Sequence, residues 1–169
     1  MLPNITDIET AFFLAMANGY AQSVPKQRVP GLPGSKTITF VWGDYTVVDL
    51  WFTTPHSNDS FGTTIIYFKG DAVWMMSYDG QYPQEVILFL KYALHIAYVE
   101  QQRFNGGRGP AFVVSTDGGR IYINEVQPDS SFRQFAGGER IENVSGRRIG
   151  YHNYHGRLLI DLPSERTTT

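Results

Sequence analysis

Glycines at predicted turns recur in the two halves of this chain at a constant distance of 76 residues. Residues 119–156 align with residues 43–80 without a gap, and most identical positions are glycines at turns or strand ends, where backbone shape restricts residue choice. The identical pairs are Gly43 and Gly119, Gly62 and Gly138, Ile65 and Ile141, Gly70 and Gly146, Tyr78 and Tyr154, and Gly80 and Gly156. This agreement predicts an internal duplication.

Each half begins with a helical spacing of apolar residues and continues with strand-like segments. The first helix is predicted over residues 7–20, with a capping box from Thr6 to Glu9. The second is predicted over residues 83–102, with Pro83 in its first turn. The predicted strands are residues 36–42, 45–52, 63–68 and 72–78, then 111–116, 120–126, 139–144 and 147–154, with a short addition at 158–162.

This order of elements predicts an α+β fold, because each helix is followed by a run of strands joined by short turns. We expect a strongly curved antiparallel sheet of about eight strands with two main helices, arranged as two pseudo-repeated helix-plus-four-strand halves. The prediction is a single domain over residues 1–169, with pseudo-repeats at 4–82 and 83–162 and a flexible tail at 163–169.

Composition excludes several classes of function. The chain has no cysteine, which excludes disulfides, thiolate nucleophiles and cysteine-ligated metals and fits a reducing compartment. A net charge of −2 gives no electrostatic reason to bind nucleic acid or anionic lipid. No apolar run approaches the roughly 20 residues that a transmembrane helix needs. We therefore predict a cytoplasmic protein with no nucleic-acid or membrane partner.

Several short motifs occur in an order that resembles an uncharacterised bacterial family, the domain of unknown function 5680. They are PGSK at 33–36, VWMMSYDG at 73–80, RGP at 108–110, GGERI at 137–141 and YHNYHG at 151–156. The resemblance extends from about Phe12 to Leu159 and implies no established chemistry. Related domains follow helix-turn-helix units, which implies a sensor or oligomerisation module. The chain departs from the family pattern at Thr63, Ser77 and Arg157, so its ligand is expected to differ.

The histidines do not form a pattern typical of a metal site. In a strand, His152 and Tyr154 share one face, while His155 points the other way or lies in the turn, so the two histidines cannot easily hold one ion. His56 and His95 are remote in sequence. We predict no metal and no cofactor. The sequence has no G-x-S-x-G elbow, and no catalytic residue is assigned.

Three acidic residues lie in or next to strands. Asp49 and Glu125 occupy matching places in the two aligned halves, and Glu139 begins a predicted strand. An acid on an inward face is unfavourable unless it is paired or hydrated, so the favoured interpretation is that these side chains point outward. The alternative is a carboxylate-lined cavity with Arg108 as a partner.

One strand face carries Trp74, Met76 and Tyr78, and the matching face of the second half carries Gly150, His152 and Tyr154. Core packing is the ordinary role of such stripes. The second stripe is smaller and more polar, and this difference predicts room beside Trp74 for a small molecule. The predicted pocket has the first stripe as its apolar wall, His152 and Tyr154 as polar contacts, and Glu139 or Asp49 as a charged anchor. Arg108 completes this set.

The sequence therefore predicts a small-molecule-binding, sensor-like domain with its pocket between the halves. The first alternative is a protein-interaction or homodimerisation module that uses Trp42 and Trp51 as exposed contacts. The second alternative is an enzyme that uses His152 with a carboxylate.

Overall fold

The computed structural model describes residues 3–22 and 24–161, and the predicted tail at 163–169 lies outside this part of the chain. Eight strands form one sheet. They are β1 Ser35–Trp42, β2 Tyr45–Thr53, β3 Asp59–Phe68, β4 Asp71–Gln81, β5 Phe112–Val114, β6 Arg120–Val126, β7 Gln134–Asn143 and β8 Arg148–Leu158. The helices are α1 Ile5–Ala17 and α2 Ile87–His95.

The predicted α+β class is confirmed: all strand pairs are antiparallel, and the strand order is β1-β2-β3-β4-β8-β7-β6-β5. Each run of four strands is a meander, and the two meanders join where β4 pairs with β8. From either edge of the sheet to the central β4–β8 pair, the strands therefore follow one another in chain order. The sheet is not closed, because β1 and β5 are edge strands.

The first helix starts earlier than predicted. Asn4 is the N-cap, and its Oδ1 accepts a hydrogen bond of 2.7 Å from the backbone N–H of Asp7. Thr6 therefore lies inside the helix, and the predicted capping box at Thr6 is wrong because Asn4 satisfies the first free amide. The helix ends at Ala17, three residues before the predicted Tyr20.

The second helical region spans nearly the predicted range but changes its winding. A 3₁₀ turn at Gln84–Val86 precedes α2, and a π-helical turn at Ile96–Gln101 follows it. Gln102 then ends the helix with a left-handed φ of 48°. Residues 159–161 form no strand, so the predicted short addition is wrong over these residues, and Leu162 lies outside the described part. Within residues 3–22 and 24–161, no helix combines the length and apolar character needed to cross a membrane.

Two strands begin well before their predicted starts. β3 begins at Asp59 and β7 at Gln134, whereas the predicted starts are residues 63 and 139. The start of β3 lies in the stretch 54–62, whose polar composition predicts a connection. Ser60 consequently belongs to a strand and not to a loop. Gly43 and Gly70, two of the glycines at predicted turns, do lie in hairpin turns, at Gly43–Asp44 between β1 and β2 and at Lys69–Gly70 between β3 and β4.

One face of the sheet is buried, as alternating burial along β2 shows at Tyr45, Val47, Asp49 and Trp51. Both helices contribute buried residues to the same hydrophobic cluster, and α1 contacts β1, β2 and β3. The strands of the second half contribute buried residues to the same cluster, such as Tyr122 and Ile141.

The predicted room beside Trp74 does not exist. The Trp74 ring is fully buried and stacks on Phe132 and Phe135, with ring centroids 5.1 and 5.5 Å away. Its indole N–H donates to the Phe132 carbonyl at 3.0 Å. The space left by Gly150 is also filled, because a Cβ there would meet the ring of Tyr82 at 2.5 Å. Trp74 is a core residue.

We expect Trp74→Ala to lower the free energy of unfolding by about 3–5 kcal/mol, because it leaves a cavity between two aromatic rings and removes a buried hydrogen bond. The measurement is urea unfolding followed by circular dichroism. Leu88→Ala is the control, since Leu88 is 82% exposed. A loss no larger than that of the control would contradict the central role of Trp74.

Candidate functional site

A cavity of about 460 Å³ lies between α2 and the buried face of β2, β3 and β4. Its apolar lining comes mainly from the helices and from aromatic residues beside them: Met16, Tyr20, Trp51, Ile87, Leu90 and Leu94. The part of its polar lining here called the polar cluster consists of Asp49, Ser60, Thr64, Tyr78, Arg108 and His152. A cavity with apolar walls and a few convergent polar groups is typical of a small-molecule site.

Arg108 is held in the polar cluster by a buried ion pair. It reaches the sheet from the glycine-rich segment after α2 and donates through both Nε and Nη2 to Oε1 of Glu139, with an Nε–Oε1 distance of 2.9 Å. Oε2 of the same carboxylate accepts from the Tyr122 hydroxyl at 2.5 Å. Glu139 is 1% exposed and Arg108 is 7% exposed. Both charges are therefore paired and largely removed from water, as buried charges require.

The pKa of Glu139 reflects this pairing. Burial by itself raises the pKa of the carboxyl, but the Arg108 charge and the hydrogen bonds from His152 and Arg108 outweigh it and lower the pKa to about 2. Glu139 is therefore ionised at neutral pH and anchors Arg108 at the cavity.

His152 connects the ion pair to the cavity wall. Its Nδ1 lies 3.3 Å from Glu139 Oε1 and 3.3 Å from Arg108 Nη2, and its Nε2 lies 3.1 Å from Ser60 Oγ. The Tyr82 ring packs edge-on against it at a centroid distance of 4.8 Å. Burial lowers the pKa of His152 below its usual value, so the imidazole is neutral at neutral pH.

Asp49, in β2, is a second buried carboxylate. Its Oδ1 accepts hydrogen bonds from the Tyr78 hydroxyl at 2.8 Å and from Thr64 Oγ1 at 3.1 Å. Its other oxygen, Oδ2, receives no hydrogen bond from the described part of the chain and is not enclosed by protein. Burial raises the pKa of Asp49, against the lowering effect of its two hydrogen bonds and of Arg108. Asp49 thus offers an acceptor to the cavity.

Three lysines, Lys26, Lys36 and Lys91, also line the cavity, on its solvent-exposed side. Lys26 and Lys91 both lie over the Tyr20 ring, 5.3 and 4.9 Å from its centroid. Burial lowers the pKa of Lys26, and the charges of Lys91 and Lys36 lower it further. The ammonium groups are therefore close enough to repel one another.

The structure separates the residues that the sequence assigns to a pocket. Those that line the cavity are Asp49, Met76, Tyr78, Arg108 and His152. Trp74 is in the aromatic core, and Tyr154 is buried with its hydroxyl donating to Asn124 Oδ1 at 2.6 Å. Glu139 acts through Arg108 and does not line the cavity.

Several expected orientations change. Asp49 and Glu139 point inward, against the favoured interpretation, whereas Glu125 points to solvent and pairs with Arg140 at 2.8 Å. The carboxylates of Asp49 and Glu125 therefore do not meet in one cavity. Trp51 is 6% exposed and lines the cavity, so it is not a surface contact.

The predicted placement of the histidines holds. His152 is buried and His155 is exposed, because the two residues lie on opposite faces of β8. No group of three or more His, Cys, Asp or Glu side chains among residues 3–22 and 24–161 is arranged to hold a metal ion.

Sequence reasoning misses Ser60, Thr64 and Tyr82. Ser60 lies in a polar stretch that looks like a loop, and its approach to His152, 92 positions away, has no local sequence signal. Tyr82 lines the cavity and its buried hydroxyl has no partner among the described residues. Thr64 has a signal in hindsight, since it alternates with buried Gly62 and Ile66 along β3.

The fold and the cavity together define an α+β domain with one eight-stranded antiparallel sheet and a half-polar cavity under its second helix. No protein-family model, no curated protein and no solved structure matches the chain.

We expect Glu139→Gln to lower the free energy of unfolding at pH 7 by about 3–5 kcal/mol, because it leaves Arg108 buried without its counter-charge. The folded-state pKa of Glu139, about 2, lies below the ordinary 4.5, so this stabilisation is present above pH 4.5 and is lost as pH falls toward 2. The difference between wild type and variant should therefore shrink from pH 7 to pH 3 in urea titrations.

The exposed, Arg140-paired Glu125 supplies the matched control for that comparison. Glu125→Gln should change stability little at either pH, because solvent screens a surface ion pair. An unchanged gap between wild type and Glu139→Gln across this pH range would contradict the ionised state of Glu139.

Proposed function

We propose that this chain binds a small molecule in the cavity under α2. The observation that carries the proposal is a set of nearly buried polar groups, Asp49, Arg108 and His152, open to a cavity of about 460 Å³ with an apolar wall. Asp49 lines this space with one oxygen that has no donor among the described residues and is not enclosed by protein, so a ligand in the cavity can supply the donor. The enclosed Tyr82 hydroxyl adds a second unpaired group beside it.

We further propose that the two meanders are copies of one ancestral unit. Tyr78 pairs directly with Tyr154 at the β4–β8 junction, and the two hydroxyls donate to Asp49 and Asn124 respectively. The correspondence is 154 − 78 = 76 positions in β4 and β8 but 124 − 49 = 75 positions in β2 and β6. The counterpart of Asp49 in this scheme is therefore Asn124 and not Glu125.

A sensor-like role, which the resemblance to the domain of unknown function 5680 implies, and a cytoplasmic location, which the lack of cysteine favours, form part of this proposal. The polar cavity supports a ligand-binding module more than a homodimerisation module. Of the two tryptophans considered for a contact surface, Trp51 is buried and only Trp42, 37% exposed and stacked on Tyr45, lies at the surface.

The proposal predicts that small molecules remain bound when the protein is purified under native conditions. Native mass spectrometry followed by denaturing analysis of the released compounds measures this retention. Ile87→Trp should reduce retention strongly, because the larger ring enters the cavity from α2. Tyr92→Trp, on the exposed side of the same helix, should leave it unchanged.

Two outcomes would overturn the proposal. One is the absence of any retained compound together with no thermal stabilisation by a diverse fragment library. The other is equal retention by the Ile87→Trp and Tyr92→Trp variants, which would place the bound molecule elsewhere.

A second candidate function is the hydrolysis of an ester, favoured by the contact between Ser60 and His152. Ser60 Oγ, His152 and Glu139 form a chain with distances of 3.1 and 3.3 Å, as in a nucleophile–base–acid arrangement. Ser60 would bond to the acyl carbon as its proton passes to His152. His152 would return the proton to the departing alcohol, and water would then release the acid.

This second function predicts covalent labelling of Ser60 by a fluorophosphonate probe, detected by intact-mass spectrometry. Ser60→Ala should abolish the added mass, and Ser145→Ala, in the distant turn before β8, should retain it. If wild-type protein stays unlabelled at saturating probe, or the Ser60→Ala variant is labelled equally, the cavity binds without this chemistry.

A further inference from the structure

Asp49 and Asn124 occupy corresponding positions in the two meanders. Each lies on the buried face of the second strand of its meander, and each accepts a hydrogen bond through Oδ1 from the tyrosine of the central strand pair. The two side chains have the same shape. They differ in the second atom, which is the acceptor Oδ2 in Asp49 and the donor Nδ2 in Asn124.

The chain itself fills the space next to Asn124. Nδ2 of Asn124 donates to the backbone carbonyls of Asn105 at 2.9 Å and Gly109 at 2.8 Å. Gly106 lies so close to the Tyr154 ring that a Cβ would meet the ring at 2.5 Å, and its φ of 66° also favours glycine. The segment from Asn105 to Gly109 is thus an internal occupant, whose backbone acceptors match the donor of Asn124.

The corresponding space next to Asp49 is the cavity. Tyr78 lines this cavity, whereas the corresponding Tyr154 ring is covered by Gly106. Asp49 also lines the cavity, and its Oδ2 has no donor among the described residues. This oxygen is not enclosed by the protein, so its donor must come from the cavity, either from water or from a ligand that displaces water. Since the acceptor replaces a donor at this position, the occupant must have the opposite hydrogen-bonding character to a carbonyl.

The lysines limit the charge of that occupant. Lys26, Lys36 and Lys91 line the same cavity and are close enough to lower the pKa of Lys26. They outnumber the two carboxylates of the lining, Asp49 and Asp59, so the balance of charge disfavours a ligand of net positive charge and favours an anionic group beside the lysines. An ammonium donor is therefore compatible only when the same molecule carries a balancing anionic group.

We propose that the cavity binds a small molecule that donates N–H or O–H hydrogen bonds to Asp49 and carries no net positive charge. Neutral amides, hydroxyl compounds and zwitterions with an apolar body belong to this class. The inference rests on the proposed binding function and adds the chemical character of the ligand to it.

The test is a ligand-observed NMR screen with fragments of equal size in four sets: neutral donors, zwitterions, net cations, and compounds with acceptors only. In wild-type protein, we expect hits from the first two sets. Asp49→Asn should weaken these hits by about tenfold or more, the loss expected for a hydrogen bond to a charged group. The amide of the variant keeps an oxygen for Tyr78 and Thr64, as Asn124 does for Tyr154, so the fold should persist.

Asp79→Asn is the matched control, because Asp79 is exposed on the other face of β4. Its hits should equal those of wild type. Lys26→Glu should admit net cations that wild type rejects. The proposal on ligand class is overturned if acceptor-only compounds or net cations bind wild type as well as the donor sets, or if Asp49→Asn leaves the affinities unchanged. Any of these results would leave the binding function intact. If no fragment that binds the wild type is lost in the Ile87→Trp variant, binding in the cavity itself is overturned.

Discussion

The buried ion pair between Arg108 and Glu139 is the interaction on which the arrangement of the site depends. Arg108 comes from the segment after the π-helical turn, and Glu139 from the middle of β7, so the pair ties that segment to the sheet. Removing both charges from water is tolerated because Tyr122 and His152 complete the carboxylate's hydrogen bonds. The position of Gly106 against the Tyr154 ring, and of the guanidinium over the Tyr78 ring, follows from this tie.

The ion pair also divides the buried polar groups into two kinds. Those around Glu139 satisfy one another within the protein, and the chain's own glycine-rich segment seals them. Among those that line the cavity, Asp49 has one carboxylate oxygen with no donor from the described residues. This difference explains why one end of the sheet's buried face is solid and the other is open. The cavity beside Asp49, and not the ion pair around Glu139, is therefore the region in which we propose that a ligand binds.

The sequence predicts the strands and turns well because they depend on local signals, period-two alternation and turn glycines. It also predicts the opposite faces of His152 and His155, which follow from strand geometry alone. It fails for Asp49 and Glu139, which point inward against the favoured interpretation, whereas Glu125 points outward as that interpretation has it. It also fails in matching Asp49 with Glu125: by hydrogen bonding to the paired tyrosines the counterpart is Asn124, a one-residue difference that a gapless alignment does not reveal. The prediction of free space beside Trp74 and Gly150 is wrong for another reason. Phe132 packs on Trp74 and Tyr82 packs against Gly150, and the alignment of the two halves does not include these contacts.

The connections after the two helices differ in how closely they approach the sheet. The second connection presents Gly106 and Gly107 to the sheet, with positive φ values of 66° and 72°, and so can lie directly on the Tyr154 ring. The first connection has Pro25, Pro30 and Pro33, which are too bulky for such an approach and cannot donate from the backbone to Asp49. A carbonyl-rich turn would moreover repel a carboxylate. The proline-rich connection therefore does not supply Asp49 with the kind of internal partner that the glycine-rich connection supplies to Asn124.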